Sequence, residues 1–292
     1  MYDLIDESGK DLQKLGYKVK DLGRWGFSIA SLVVDNEKSR GEKDIEIGKY
    51  YILNCPNFFD YGIDCYDFII NYFLKILKES VKTNRNQKVK VLIVGLGNPD
   101  IQADRLGKEV FDNIKISPLE NENRVFKFCP NIFFLTGIST AELIKLIANR
   151  LEVDYCILID SLTTNNIERI GCSFQFTTNG ITPGSGVNRF GQKIDKDYLG
   201  VDCYCIGVPF MIFSSSFKNG KSEKILTLKD IDDYVSACGF LIAKSLNIFL
   251  NLKNNERVWY FCDLTTKSTK RIENELLSFN SIFFNCNFLF SN

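Results

Sequence analysis

The chain has 292 residues, 36 of them basic and 36 acidic, so its formal net charge is zero. That balance argues against a basic nucleic-acid clamp and against an acidic solvating tail. There is no histidine, which excludes a Ser-His-Asp triad, a Cys-His dyad, a His-ligated zinc and a histidine general base. Acid–base chemistry must come from Asp, Glu, Lys, Tyr, Cys, water or a cofactor.

Taken in chain order, Gly26 to Val34 reads as a strand, Asp35 to Lys43 as a polar loop and Lys49 to Cys55 as a second strand. Tyr66 to Leu77 has its apolar residues at helical spacing. Val89 to Gly95 is β-branched and almost wholly apolar, as a strand covered on both faces should be. A helix is expected over Asp104 to Ile114 and a strand within Val125 to Leu135. Ser139-Thr-Ala-Glu142 reads as a capping box that opens the amphipathic stretch to Leu151. Tyr155 to Ile159 predicts a buried strand ending at Asp160, and Val201 to Val208 another. Between them lies a Gly-rich loop, Gly180 to Gly191. Leu226 to Leu252 predicts a long helix with Thr227 as its cap. The aromatic, Asn-rich tail from Trp259 onward would be sticky if exposed and is expected to pack.

Strands alternating with helices imply an α/β fold with a mostly parallel central sheet flanked by helices. We expect a three-layer, phosphorylase/hydrolase-like architecture in a single domain over 1–292, with its core at about 89–210 and a C-terminal helix and tail at 226–292. The start of the chain is not a signal peptide. No uncharged apolar run reaches the ~18 residues of a membrane span, so a soluble, cytoplasmic protein is expected. The ten cysteines form no Cys-x-x-Cys and read as free, buried thiols rather than a metal knuckle.

Gly95-Leu-Gly97-Asn-Pro-Asp100 follows a buried strand but lacks the third glycine of a dinucleotide fingerprint. Ser215-Ser-Phe-Lys218 matches a Ser-x-x-Lys pattern that is common by chance. Two carboxylates carry more weight. Asp160 is expected at the carboxyl end of one buried strand, and Asp104 just after the loop that leaves another. Ligands bind outside the carboxyl ends of such strands, so neighbouring strands would aim both acids into one crevice. The competing reading makes Asp104 a helix N-terminal charge and Asp160 a loop cap.

Several blocks, in order, resemble the spore germination protease family. They are Gly48-Lys-Tyr50, Val94 to Asn98, Ala103 to Gly107, Leu135 to Ile138 with Thr140 to Glu142, and Ile159 to Leu162 with Glu168-Arg169. Gly180 to Val187 and Ile206 to Pro209 follow, and Asp230 to Asn251 resembles the family's last helix. The resemblance implies an atypical aspartic endopeptidase that degrades small acid-soluble DNA-binding proteins in germinating spores. It implies a forespore or spore-core location, a homo-oligomer (a tetramer), no cofactor and no metal, and neither direct nucleic-acid nor membrane contact. It places the catalytic aspartates on Asp104 and Asp160. The supporting or substrate-binding positions it implies are Gly95, Gly97, Asn98, Thr136, Gly137, Arg169, Gly184, Ser185 and Gly186. Backbone N–H groups of Gly95 to Gly97 and Gly184 to Gly186 would serve substrate or oxyanion. Thr182 stands where the family has a histidine, Asn165 where it has an arginine, and the stretch Phe210 to Lys224 is shorter than the family's. Two other readings are a non-catalytic relative that binds the same proteins, and a metal-linked maturation endopeptidase of a related fold.

Overall fold

A computed structural model of the protein describes residues 16–35, 45–82, 88–116, 123–184, 191–213 and 225–252. The expected packing of the tail beyond Trp259 falls outside them, as do Ser185 and Gly186. The strands are β1 (Lys18–Asp21), β2 (Ser28–Val34), β3 (Gly48–Asn54), β4 (Lys90–Gly95), β5 (Arg124–Phe128), β6 (Tyr155–Thr164), β7 (Ser173–Thr177), β8 (Asp202–Phe213) and β9 (Ile225–Leu226). The helices are α1 (Ile63–Ser80), α2 (Leu106–Asn113), α3 (Phe133–Thr136), α4 (Thr140–Leu151), α5 (Lys196–Leu199) and α6 (Ile231–Phe249).

Among the described residues all strands join one nine-stranded sheet in the order β1-β2-β3-β7-β8-β6-β4-β5, with β9 alongside β8. The four strands β8-β6-β4-β5 run parallel. Beyond β8 the sheet continues antiparallel through β7, β3, β2 and β1. Helices α1, α2 and α6 cover one face, over Ile157, Ile159, Ile206 and Val208. The other face carries α4 and α5 over Leu92, Val94, Cys156, Leu158 and Cys205. This is the helix–sheet–helix sandwich of an α/β fold, and it explains why β6 is buried at every position. Among the described residues no helix is long and apolar enough to cross a membrane.

Local chemistry sets the element ends. In α1 the buried residues Cys65, Tyr66, Ile69, Ile70, Phe73, Leu74, Ile76 and Leu77 form one stripe at helical spacing. The Ser139 hydroxyl accepts from the Glu142 amide at 3.4 Å, which is the expected cap of α4. Three boundaries differ from expectation. The strand expected within 125–135 stops at Phe128, because Pro130 cannot donate to a ladder and α3 follows. Helix α6 begins at Ile231 rather than Leu226, since Leu226 pairs with Ile212. Thr227 does not cap it; its hydroxyl donates to the Phe210 carbonyl at 2.7 Å. Strand β6 continues past Asp160 to Thr164, because β8 runs beside it through a bulge at Leu162/Thr163.

The densest aromatic packing lies under α1. Phe174 meets Phe58 and Phe73 with ring centroids 6.0 and 5.7 Å apart, and it is 1% exposed. Phe174→Ala should therefore destabilise the fold by about 3–5 kcal/mol, measured by urea unfolding.

All eight described cysteines are free. Cys55, Cys65, Cys172 and Cys238 share the core beneath α1 and α6. Burial pushes the Cys65 thiol up to about 12 and Cys172 up to about 11, from an ordinary value of 9.0. In the unfolded chain these protons leave near pH 9; in the folded chain they stay on until about pH 11 to 12. Stability is therefore full below pH 9 and falls as pH rises through that window. Unfolding curves taken at intervals from pH 7 to 11 should show the decline, and alanine at Cys65 should shrink it.

Candidate active site

The parallel strands place the site. From β4 the chain passes through α2, on one face, to the edge strand β5. It then returns through α4, on the other face, to β6 on the far side of β4. From β6 it goes on in the opposite direction, toward β7 and β8. The connections leaving β4 and β6 thus diverge, and the gap between their carboxyl ends is the strand-order reversal at which open α/β sheets bind ligands.

Both predicted acids sit at this gap. Gly95, the last residue of β4, is paired with Ile159, and the Leu96 amide donates to the Ile159 carbonyl at 2.8 Å. Asp160 is the next residue of β6, so it lies just beyond the end of β4. It is not at the end of its own strand; the opening arises because β4 stops. Asp160 is 5% exposed, and one of its carboxylate oxygens accepts from the Ser161 amide at 2.9 Å. Asp104 ends the 3₁₀ turn Gln102–Asp104, which packs against β6, β8 and α6. Its Oδ2 accepts from the Asn98 amide at 2.8 Å. One residue separates Asp104 from α2, whose first amide, that of Leu106, donates to the Ser161 hydroxyl at 3.3 Å. Ser161 therefore touches both sides: its amide serves Asp160 and its hydroxyl anchors the helix that follows Asp104.

Two close backbone approaches fix this arrangement. A Cβ on Gly95 would overlap the Gly107 backbone, and one on Gly107 would overlap that of Leu96. The third glycine of a phosphate fingerprint lets a helix lie against its strand; here Gly107 has that role, ten residues after Gly97. Gly97 has φ 93°, a left-handed backbone, and a Cβ there would overlap the Asp104 carbonyl. The glycines of this loop are thus demanded by packing. Within 95–97 the Leu96 amide is already committed to the Ile159 carbonyl, so that N–H is not free for substrate.

The remaining predicted positions are dispersed. Thr136 and Gly137 close α3, beyond the carboxyl end of β5, and both are exposed. Arg169 stands on the 3₁₀ turn Ile167–Arg169, where its charge acts on the Cys172 thiol. Gly184 follows the Ile181–Ile194 bridge, whose two isoleucines sit on the face covered by α4. Sequence reasoning passed over three residues: Gly107, Ser161 and Gln175. Gln175 is 1% exposed and pairs with Gly207, which pairs with Asp160, so all three lie in one row on one face. A glutamine set between Phe174 and Phe176 was the available signal.

A family model described as germination protease matches residues 5–226. The chain belongs to the germination protease family. A germination protease of Caldanaerobacter subterraneus subsp. tengcongensis is 31% identical over 239 residues, covering 78% of this chain and 72% of that one. Those of Clostridium tetani and Bacillus subtilis strain 168 are each 28% identical, covering 72% of this chain and 68% and 60% of theirs. Among solved structures, a NiFe hydrogenase maturation protease from Thermococcus kodakarensis matches with a TM-score of 0.36 and 17% identity, over 60% of this chain and 99% of that one.

Since the neighbours of Gly107 are backbone atoms that cannot swing away, Gly107→Ala should cost about 1–3 kcal/mol. Gly137 has open space around it but φ 70°, so Gly137→Ala should cost about 1 kcal/mol or less. Melting curves of the two variants should keep that order.

Proposed function

We propose that the protein is an aspartate-dependent endopeptidase that starts the breakdown of small acid-soluble spore proteins during germination, in the cytoplasm of the spore. The observation that carries this reading is that Asp104, on the connection leaving β4, and Asp160, inside β6 just beyond the end of β4, both lie at the strand-order reversal. Membership of the germination protease family supports the peptidase part of it.

The chemistry needs no histidine. Two neighbouring carboxylates do not both ionise readily, so they share a proton. The ionised one takes a proton from water, and that water attacks the peptide carbonyl. The protonated one supports the carbonyl oxygen and then protonates the leaving amine. Asn98 and Ser161 hold the acids through their backbone amides, so the carboxylates need little rearrangement when substrate arrives.

Asp104→Asn and Asp160→Asn should each lower the initial rate of cleavage of a small acid-soluble spore protein by about 10²–10⁴-fold. Their melting temperatures should stay near wild type, since amide and carboxylate are nearly the same size. If the acids act as one unit, the double variant will be scarcely slower than either single one. Near-normal rates in both single variants would reject the assignment. Retained binding with no cleavage in the unmodified protein would favour the non-catalytic reading, and cleavage lost to a chelator the metal-linked one.

A further inference from the structure

Strand β5 is the last in the sheet and pairs only with β4 among the described residues. A groove of about 370 Å³ runs along this edge. It is lined from both faces at once: Phe126, Ile147 and Leu151 belong to the α4 side, and Val125 to the α1 side. Its floor is therefore the strand edge itself, which has no second partner strand among the described residues, between apolar walls, and that is the shape that takes one more extended segment. Ile116, on its rim, is 58% exposed.

The chain's own course says what fits there. The Asn123 side chain, one residue before β5, donates to the Leu250 carbonyl at 2.9 Å and accepts from the Val89 amide at 3.1 Å. Asn247 fixes the same corner by accepting from the Lys115 amide at 3.0 Å. The last described residues, Leu250 to Leu252, are thus tied to the start of β5, and residues 253–292 depart from that corner. Four polar residues, Lys253-Asn-Asn-Glu256, come first. They span up to ~13 Å when extended, more than the ~4.8 Å that separates adjacent strands. Next comes Arg257-Val-Trp-Tyr-Phe-Cys262, dense in residues that favour a pleated surface. The acidic Glu256 precedes it in the sequence, and Arg124 stands at the start of the edge. We propose that the β5 edge is the docking site of the chain's own segment 257–262, entered beside Arg124 and followed in the direction of β5.

Trp25 and Trp259 are the two tryptophans, so Trp25→Phe leaves Trp259 as sole reporter. In dilute full-length protein its emission should be blue-shifted, and the amides of 124–128 should exchange slowly. A Tyr260→Pro change, which leaves all described residues intact, should move the emission to the red and speed exchange at 124–128 by at least about tenfold. A stop after Leu252 should speed the same amides equally. Solvent-like Trp259 emission in the Trp25→Phe protein would overturn the proposal, as would unchanged exchange in both altered chains. Protection that rises with protein concentration would assign the edge to a second copy instead, and protection gained only on adding substrate would assign it to substrate; either result rejects the tail. None of these readouts depends on Asp104 or Asp160.

Discussion

The contact between the end of β4 and the start of α2 is the constraint on which the site depends. Gly95, Leu96 and Gly107 meet backbone to backbone, with no side chain between them. That approach turns the chain sharply back after its excursion through Pro99 and sets the 3₁₀ turn over β6. The Asn98 amide can then reach the Asp104 carboxylate, and the Leu106 amide the Ser161 hydroxyl. A methyl group at either glycine pushes helix and strand apart, and the acid on one side of the gap moves relative to the acid on the other. Interiors at native packing density transmit such displacements rather than absorb them.

The second condition is topological. Asp160 lies inside β6 with pairing on the β8 side at its own level and beyond, so its backbone is held along a fully buried strand. Asp104 lies on a turn held by its neighbours in sequence and by α6. One acid is thus fixed by the sheet and the other by a loop clamped to the sheet. The gap between them exists because β4 is six residues long and β6 ten, a difference in length that no local motif encodes.

Much of the α/β core could be read from the chain because its signals are local. The largely apolar runs at 89–95, 155–159 and 201–208 have few alternatives to a doubly covered strand, and the Ser139 cap is written in four consecutive residues. Asp104 and Asp160 could be singled out because both follow such runs. Pairing information was not local. Whether β6 ended at Asp160 or ran on to Thr164 depended on β8, more than thirty residues downstream, and the antiparallel extension through β7, β3, β2 and β1 depended on partners as far apart as Tyr50 and Thr177. Thr227 misled for the same reason: its hydroxyl found the Phe210 carbonyl instead of a helix amide. Gly107 was visible within its block, but its purpose was not, since a close approach needs two partners to be seen.

The absence of histidine sharpens what the fold must supply. An imidazole can change its charge near neutral pH with little help from its surroundings. Carboxylates at ordinary values are ionised there, and a pair can divide the labour of acid and base only when held close enough to share one proton. Such closeness sets like charges against each other, and a rigid scaffold is what keeps the two groups from moving apart. On the proposed reading, the burial of Asp160, the amides committed to each carboxylate and the side-chain-free seam of Gly95 and Gly107 are parts of one solution. They hold two acids from distant segments in a geometry that neither segment would adopt alone. The chemistry then belongs to the assembled parallel core, and no contiguous stretch of the chain carries it.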